Sequence, residues 1–454
     1  MKKNQFLIEK LLKGSAFFGL SIGIISILIT LIIRVSGSLS WLLLYHSTLS
    51  AHALSMLIFW APSAMAYFFF IKSRQSFEYS EFQKIGILLA TFLFLLGEIG
   101  SWMGYLWLPA IRLTPFILTP DSSWVSFFLI INSLGQVILF SFIAIHACLV
   151  FVKISSQEEK LDLVFIAIAS WIMAACAAGT NAFLQRGLML SEWSQHLWLP
   201  LGHFSLQAMT LALMMIWGSF FKAKQKSKLL WSLKIFLSGG YALFVILGFV
   251  HLLPEIFESQ KIGPWFDKYI WIPAVSTTGF TLIYIFQYFM AKKNSLKTGQ
   301  PLLKNFDSGP SSVGLLSFCS FTIVGGLSGF MIAGNAAFKS NILGTLFMTG
   351  HFHPLLLGGI TLSFLAHFLS LRIFLQPYSH KIFKFALISF LTGLMLMSGL
   401  MMRSGLWGSS RRFPIFSGPF PAIQAILLLI FGLSTLSSLF VILYSVLSSK
   451  EKEN

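Results

Sequence analysis

The stretch Thr349-Gly350-His351-Phe352-His353-Pro354-Leu355-Leu356-Leu357-Gly358-Gly359 decides how this chain is read. It sets two imidazoles inside an apolar run, 343–369, that is long enough to cross a bilayer. Ionisable side chains at that depth are costly and mark function by default. Two residues apart on a helix is about 200°, so the two rings point to opposite sides. They cannot share one metal, but one helix can serve two separate centres.

The rest of the chain resembles that run. Of 454 residues, 56% are hydrophobic and only 10% are charged, with Phe 48 and Trp 13. The mean hydropathy is +0.80. A soluble domain is about a quarter charged, so this composition excludes an ordinary cytosolic enzyme, a disordered chain and a secreted disulfide scaffold. Apolar runs recur at 14–36, 43–71, 85–107, 124–152, 162–184, 193–221, 230–253, 268–291, 312–335, 343–369, 382–402 and 420–447. They are continuous rather than alternating, which argues for helices and against a β-barrel. The fold class is therefore an all-α polytopic membrane protein with twelve transmembrane helices. No small-residue cleavage site follows the first run, so it reads as a span rather than a signal peptide. No stretch between runs is large enough to fold alone, and residues 1–454 read as a single integral membrane domain. The longest connection, about 292–311, is basic with Gly and Pro and reads as a flexible connector.

The net charge of +17 is mostly topology. With a cytoplasmic N-terminus, most Lys and Arg fall inside, in groups such as Lys2, Lys3, Lys10 and Lys13, or Lys222, Lys224, Lys226 and Lys228. Both termini are then cytoplasmic, and the charge argues for a lipid membrane rather than nucleic acid. Arg403, Arg411 and Arg412 lie on the wrong side for this rule, which calls for a local anionic partner. The three cysteines, Cys148, Cys176 and Cys319, form no CxxC or CxxCH pattern. That excludes a covalent c-type haem, a zinc ribbon and a cysteine-built copper centre in this chain.

Most of the ten histidines fall within the apolar runs. His351 and His353 could each ligate one haem. His52, in His-Ala-Leu-Ser-Met of the second run, could supply a second axial ligand. Two His ligands make a low-spin electron carrier, and a single one leaves an open position for a gas. His196 and His251 could hold a second metal opposite that position. By the topology, His52, His196, His251, His351 and His353 all sit toward the outer side, together with Arg411 and Arg412. Haem propionates are anions, and arginine suits bidentate carboxylate contacts.

These residues carry a resemblance. The chain is similar to subunit I of the haem–copper oxidase superfamily, which includes cytochrome c and quinol oxidases and nitric oxide reductases. The motifs are Gly350-His351-Phe352-His353 with Gly358-Gly359, and Ser410-Arg411-Arg412-Phe413-Pro414. Leu31-Ile32-Ile33-Arg34 resembles the family's arginine near the low-spin haem, and His196-Leu197-Trp198 resembles the metal-ligand motif of the nitric oxide reductase branch. The resemblance implies two haems, a high-spin one on His351 and a low-spin one on His353 and His52. It implies copper or non-haem iron at His196 and His251. Electrons would pass from the low-spin haem to the high-spin centre, which reduces O2. The donor would be a haem c- or copper-bearing partner subunit, or quinol, and the location a bacterial inner membrane.

The sequence also departs from the family. Leu252 stands where a second adjacent His is usual, Pro200 stands one turn after His196 where oxidases place a tyrosine, and the lysine of the eighth span is absent. NO reduction, or a haem-based gas sensor without turnover, are therefore the alternative readings, and a transporter is a third. His203 lies seven residues after His196, about 10 Å along the helix, and reads as cavity-lining. His46, His146, His367 and His380 match no motif and read as structural. Glu98 in the third run is a buried acid and a proton-relay candidate, with a carboxyl kept protonated by burial as the plainer reading.

Overall fold

The computed structural model describes residues 2–36, 42–112, 123–185, 192–220, 228–258, 269–298, 309–334, 341–342, 345–370, 372–373, 380–410, 416–448 and 450–451. It is helical almost throughout. The long helices are α1 (Lys2–Ser36), α2 (Leu42–Leu54), α3 (Ala61–Ser76), α4 (Glu81–Arg112), α5 (Ser123–Lys153), α6 (Gln157–Gln185), α7 (Glu192–Phe220), α8 (Lys228–Glu258) and α9 (Trp271–Thr298). After them come α10 (Gly309–Cys319), α11 (Gly326–Gly334), α12 (Leu346–His353), α13 (Leu362–Ser370), α14 (His380–Leu406) and α15 (Pro421–Ser448). A short antiparallel pair joins β1 (Arg372–Ile373) to β2 (Lys450–Glu451), with Arg372 opposite Glu451.

Among the described residues, each of the twelve apolar runs falls almost wholly on helix. Eight helices among the described residues are long and apolar enough to cross a membrane. Their outward faces fit that placement. On α4 the exposed large apolar residues among those described are Phe82, Ile85, Leu89, Phe92, Leu96, Ile99 and Met103, a stripe at three- and four-residue steps. A soluble helix buries such a stripe, whereas lipid is the solvent that accepts it. The chain is an integral membrane protein. The basic connector expected over 292–311 is helical at both ends, since α9 runs to Thr298 and the next helix starts at Gly309. Ala, Lys and Leu in Ala-Lys-Lys-Asn-Ser-Leu-Lys are good helix formers and extend the helix past the apolar run.

Three runs are not uniform helices. A π-helical turn at Ser55–Trp60 separates α2 from α3, another at Ser320–Gly325 separates α10 from α11, and a third at Pro354–Thr361 separates α12 from α13. Pro354 has no N–H to continue the α-helical ladder, and a wider turn absorbs the defect. Carbonyls in these turns receive side-chain donors. Gln136 Nε2 donates to Ile58 O at 3.2 Å, Ser320 Oγ to Pro354 O at 3.1 Å, and Ser317 Oγ to Gly359 O at 2.7 Å.

The chain divides into two compact units. The first comprises Met1–Gly23, Ser50–Met215 and Lys224–Ile283. Within it α4, α5 and α6 pack side by side. Glycine sets the α4–α5 approach, because a Cβ on Gly97 would stand 2.4 Å from the Asn132 amide nitrogen. The second comprises Ile24–Leu49, Ile216–Ala223 and Tyr284–Asn454. Here α12 lies against α14, and a Cβ on Gly350 would stand 2.6 Å from Ser398 O. The Gly before His351 thus lets the histidine helix press backbone to backbone on its neighbour.

Candidate metal centre

His351 and His353 sit in the last turn of α12. The helix starts at Thr345, whose side chain caps it by accepting from the Phe347 amide at 3.2 Å. Leu346 N also donates to Ser409 O at 2.9 Å, which ties the start of the helix to the segment leading into Arg411. His351 is 8% exposed, and its Nδ1 lies 2.9 Å from Ser328 Oγ on α11. Ser328 has one hydroxyl proton, and Val324 O stands 2.5 Å from Oγ to receive it. Toward His351 the hydroxyl therefore accepts, so Nδ1 carries the proton and neutral His351 has its lone pair on Nε2.

The same assignment holds for the other two candidate ligands. His353 Nδ1 faces Thr349 O at 2.7 Å, and His52 Nδ1 faces Gly23 O at 2.9 Å. A carbonyl only accepts, so each Nδ1 donates and each neutral ring offers Nε2 as a ligand atom. Metal-bound histidines show this pattern: the second nitrogen is held by a carbonyl, a carboxylate or another fixed acceptor. His146 shows the reverse. Its Nε2 lies 3.1 Å from Phe77 O, and its ring stacks on Tyr79 at 3.6 Å between centroids, a packing role.

Arg34 closes the end of α1 in the second unit. It is 5% exposed. Nη1 donates to the Tyr45 hydroxyl at 2.8 Å and Nη2 to Ser410 O at 3.0 Å, and the guanidinium lies over the Phe416 ring at 4.5 Å. Its Nε is buried with no hydrogen-bond partner, and no carboxylate pairs with the charge among the described residues. A buried cation with an orphan donor calls for an anion. The bond to Ser410 O places Arg34 beside the residue preceding Arg411-Arg412. Those two arginines lie outside the described residues.

The two histidines expected to hold a second metal have less geometry around them. His196 is on α7, with its side chain outside the described residues. His251, near the end of α8, is exposed, and its ring lies against Tyr269 at 5.8 Å. His203 is half-buried on α7. Among the described residues no group of three or more His, Cys, Asp or Glu is placed to hold a metal ion. His52, His203, His251 and Glu98 belong to the first unit, and His351, His353 and Arg34 to the second. Nothing in the sequence marked Ser328, the Gly23 and Thr349 carbonyls or Tyr45 as partners, because serines and tyrosines are common in membrane helices and carbonyls are everywhere.

No family model and no curated protein sequence matches this chain. Its fold does match a solved structure, a heme–copper terminal oxidase dimer determined by cryo-electron microscopy. The match has a TM-score of 0.73 and covers 99% of this chain and 85% of that one, at 17% sequence identity. The chain has the fold of a haem–copper oxidase, in a divergent sequence.

Proposed function

We propose that this chain is the haem-binding catalytic subunit of a terminal oxidase-like membrane complex that reduces O2. The observation that carries the reading is the shared state of His52, His351 and His353, in which Nδ1 is held by an acceptor and Nε2 is the ligating nitrogen. The buried orphan donor of Arg34 supports it, since haem propionates are the anions such a cation suits. When bound, two haems would supply electron transfer and one open coordination position for a gas. His52 and His353 are the axial pair of the low-spin haem, a pairing that rests on the motifs. His351 holds the high-spin haem, with Ser328 fixing its tautomer. Arg34, Arg411 and Arg412 neutralise propionates. His196 and His251 are the candidate ligands for copper or non-haem iron. All twelve apolar runs cross the bacterial inner membrane with both termini inside and the haem sites toward the outer face. Electrons arrive from a haem c- or copper-bearing partner subunit, or from quinol.

A second reading is favoured by His251. An exposed imidazole against Tyr269, followed by Leu252, is a weak metal site, and without that metal the chain would bind a gas as a sensor without turnover, while Pro200 in place of the oxidases' tyrosine favours NO over O2 as substrate. A reduced-plus-CO minus reduced spectrum of the purified chain tests both. A CO-shifted band beside an unshifted low-spin signal is the expected result, with O2 turnover distinguishing oxidase from sensor. Purified chain that neither contains nor takes up haem would overturn both readings and favour a transporter.

A further inference from the structure

In the first unit, Glu98 is 1% exposed in the middle of α4. Ser15 Oγ on α1 lies 2.7 Å from Glu98 Oε2 and 2.8 Å from Ser63 Oγ on α3. The other oxygen, Oε1, is buried without a partner. Two more polar atoms on the same face of α4, Ser101 Oγ and Trp102 Nε1, are also buried without partners. Residues three and four apart on a helix are neighbours, so the three side chains share one face of α4. Their hydrogen-bonding characters are complementary: Oε1 accepts, the indole N–H only donates, and the serine does either. Buried polar groups in such a state are normally served by ordered water, which needs two to four polar partners. Glycine brings α1 close on this side, for a Cβ on Gly19 would stand 2.8 Å from Oε1 and 2.9 Å from the Trp60 amide nitrogen.

No cation lies beside the carboxyl among the described residues. The Ser15 hydroxyl faces it directly, the Ser63 hydroxyl stands behind Ser15, and Gly19 of α1 lies against Oε1. On the elements packed around it, Lys13 stands two residues before Ser15 on α1, and other charges are paired with one another. Glu9 on α1 is paired with Arg74 on α3, and Lys84 on α4 with Glu81. The Glu9–Arg74 pair lies six residues before Ser15 along α1, roughly 9 Å toward the N-terminal end.

We propose that Glu98 is the centre of a buried, water-holding proton-exchange site. Its carboxyl takes a proton from water entering from the N-terminal end of α1, past Glu9–Arg74 and Ser15–Ser63, and returns it to water held by Ser101 and Trp102. Only the O–H bond of the carboxyl forms and breaks. Reduction of O2 or NO consumes protons, which gives such a site a use under the reading above. The exchange itself needs neither haem nor turnover.

Infrared spectroscopy of the full chain in lipid nanodiscs, moved from H2O to D2O, tests the site directly. A protonated-carboxyl stretch is expected near neutral pH, moving to lower frequency in D2O, absent in Glu98→Gln and displaced in Glu98→Asp. Ser15→Ala should keep the band, shift its frequency and slow its exchange at least severalfold. The aspartate and alanine variants keep the test open should Glu98→Gln not fold. An ionised carboxyl in the wild type, pointing to a bound cation, would overturn the proposal. So would a band that fails to exchange, or one that survives unchanged in both Glu98 variants. Each of these outcomes can be read in chain with or without haem, so failure here is distinct from failure of the haem reading.

Discussion

Replacing Ser328 by alanine is the sharpest test of the proposed metal centre. The substitution leaves His351 in place and removes only the acceptor 2.9 Å from its Nδ1. Ser328 is 6% exposed and His351 8%, so water does not readily take over the role. A buried donor left unsatisfied costs about 1–3 kcal/mol. At 1.4 kcal/mol per tenfold, that is roughly a 5- to 150-fold loss. The independent experience with outer-shell partners of metal-bound histidines is about 10- to 100-fold. The two figures agree, and the loss should fall on haem retained at His351 rather than on folding.

The control lies one helical segment away. Ser320 is as deeply buried and donates to Pro354 O at 3.1 Å, without touching an imidazole. Ser320→Ala should lose an ordinary hydrogen bond, about 0.5–1.5 kcal/mol of stability, and keep its CO spectrum. Ser328→Thr should rescue, since a threonine hydroxyl also bonds the carbonyl four residues back and still accepts from His351. The assay is titration of added haem into purified chain, read by the amplitude of the CO-difference band. If Ser328→Ala binds haem and CO as tightly as Ser320→Ala does, the tautomer argument fails and His351 loses its assigned role.

Other expectations follow from the same geometry. His353→Ala and His52→Ala should each abolish the low-spin spectrum while the chain still inserts in the membrane, and a full low-spin spectrum in either would remove that pairing. Gly350→Ala should lower the thermal midpoint by the equivalent of about 1–3 kcal/mol, because its Cβ meets the backbone of α14 rather than a side chain that can move; differential scanning of the two proteins reads this. Tyr79, buried between α3 and α4, has its hydroxyl pushed up by burial, against smaller opposing effects of Ser73 and Arg74. Below about pH 10 the phenol is neutral folded or unfolded, so stability should not depend on it there. Above that, the unfolded chain ionises first and stability should fall by up to about 1.4 kcal/mol per pH unit. Tyr79→Phe should start less stable, having lost the 2.6 Å bond to Ser73, and should lack this alkaline slope in a denaturation series.

The helices were legible in the sequence because membrane helices announce themselves by length and composition, and among the described residues each apolar run falls almost wholly on helix. What composition cannot show is where a helix changes its winding. The π turns at Ser55–Trp60 and Ser320–Gly325 lie in stretches as apolar as their flanks, and only Pro354 gives the third a local cause. The candidate ligand histidines stood out for a related reason: an imidazole in hydrocarbon is rare enough to be noticed. Their second partners did not. Ser328 is 23 residues from His351, Gly23 is 29 from His52, and Ser15 is 83 from Glu98, so no local pattern joins them. Yet it is these partners that give the histidines a protonation state. A histidine in a membrane helix is ambiguous between ligand and packing residue, as His146 shows by presenting its other nitrogen to a carbonyl. The distinction lies in which nitrogen is held, and that is a property of the folded chain: a hydroxyl already committed to Val324 and two carbonyls that cannot donate leave all three candidate ligands with the lone pair on Nε2.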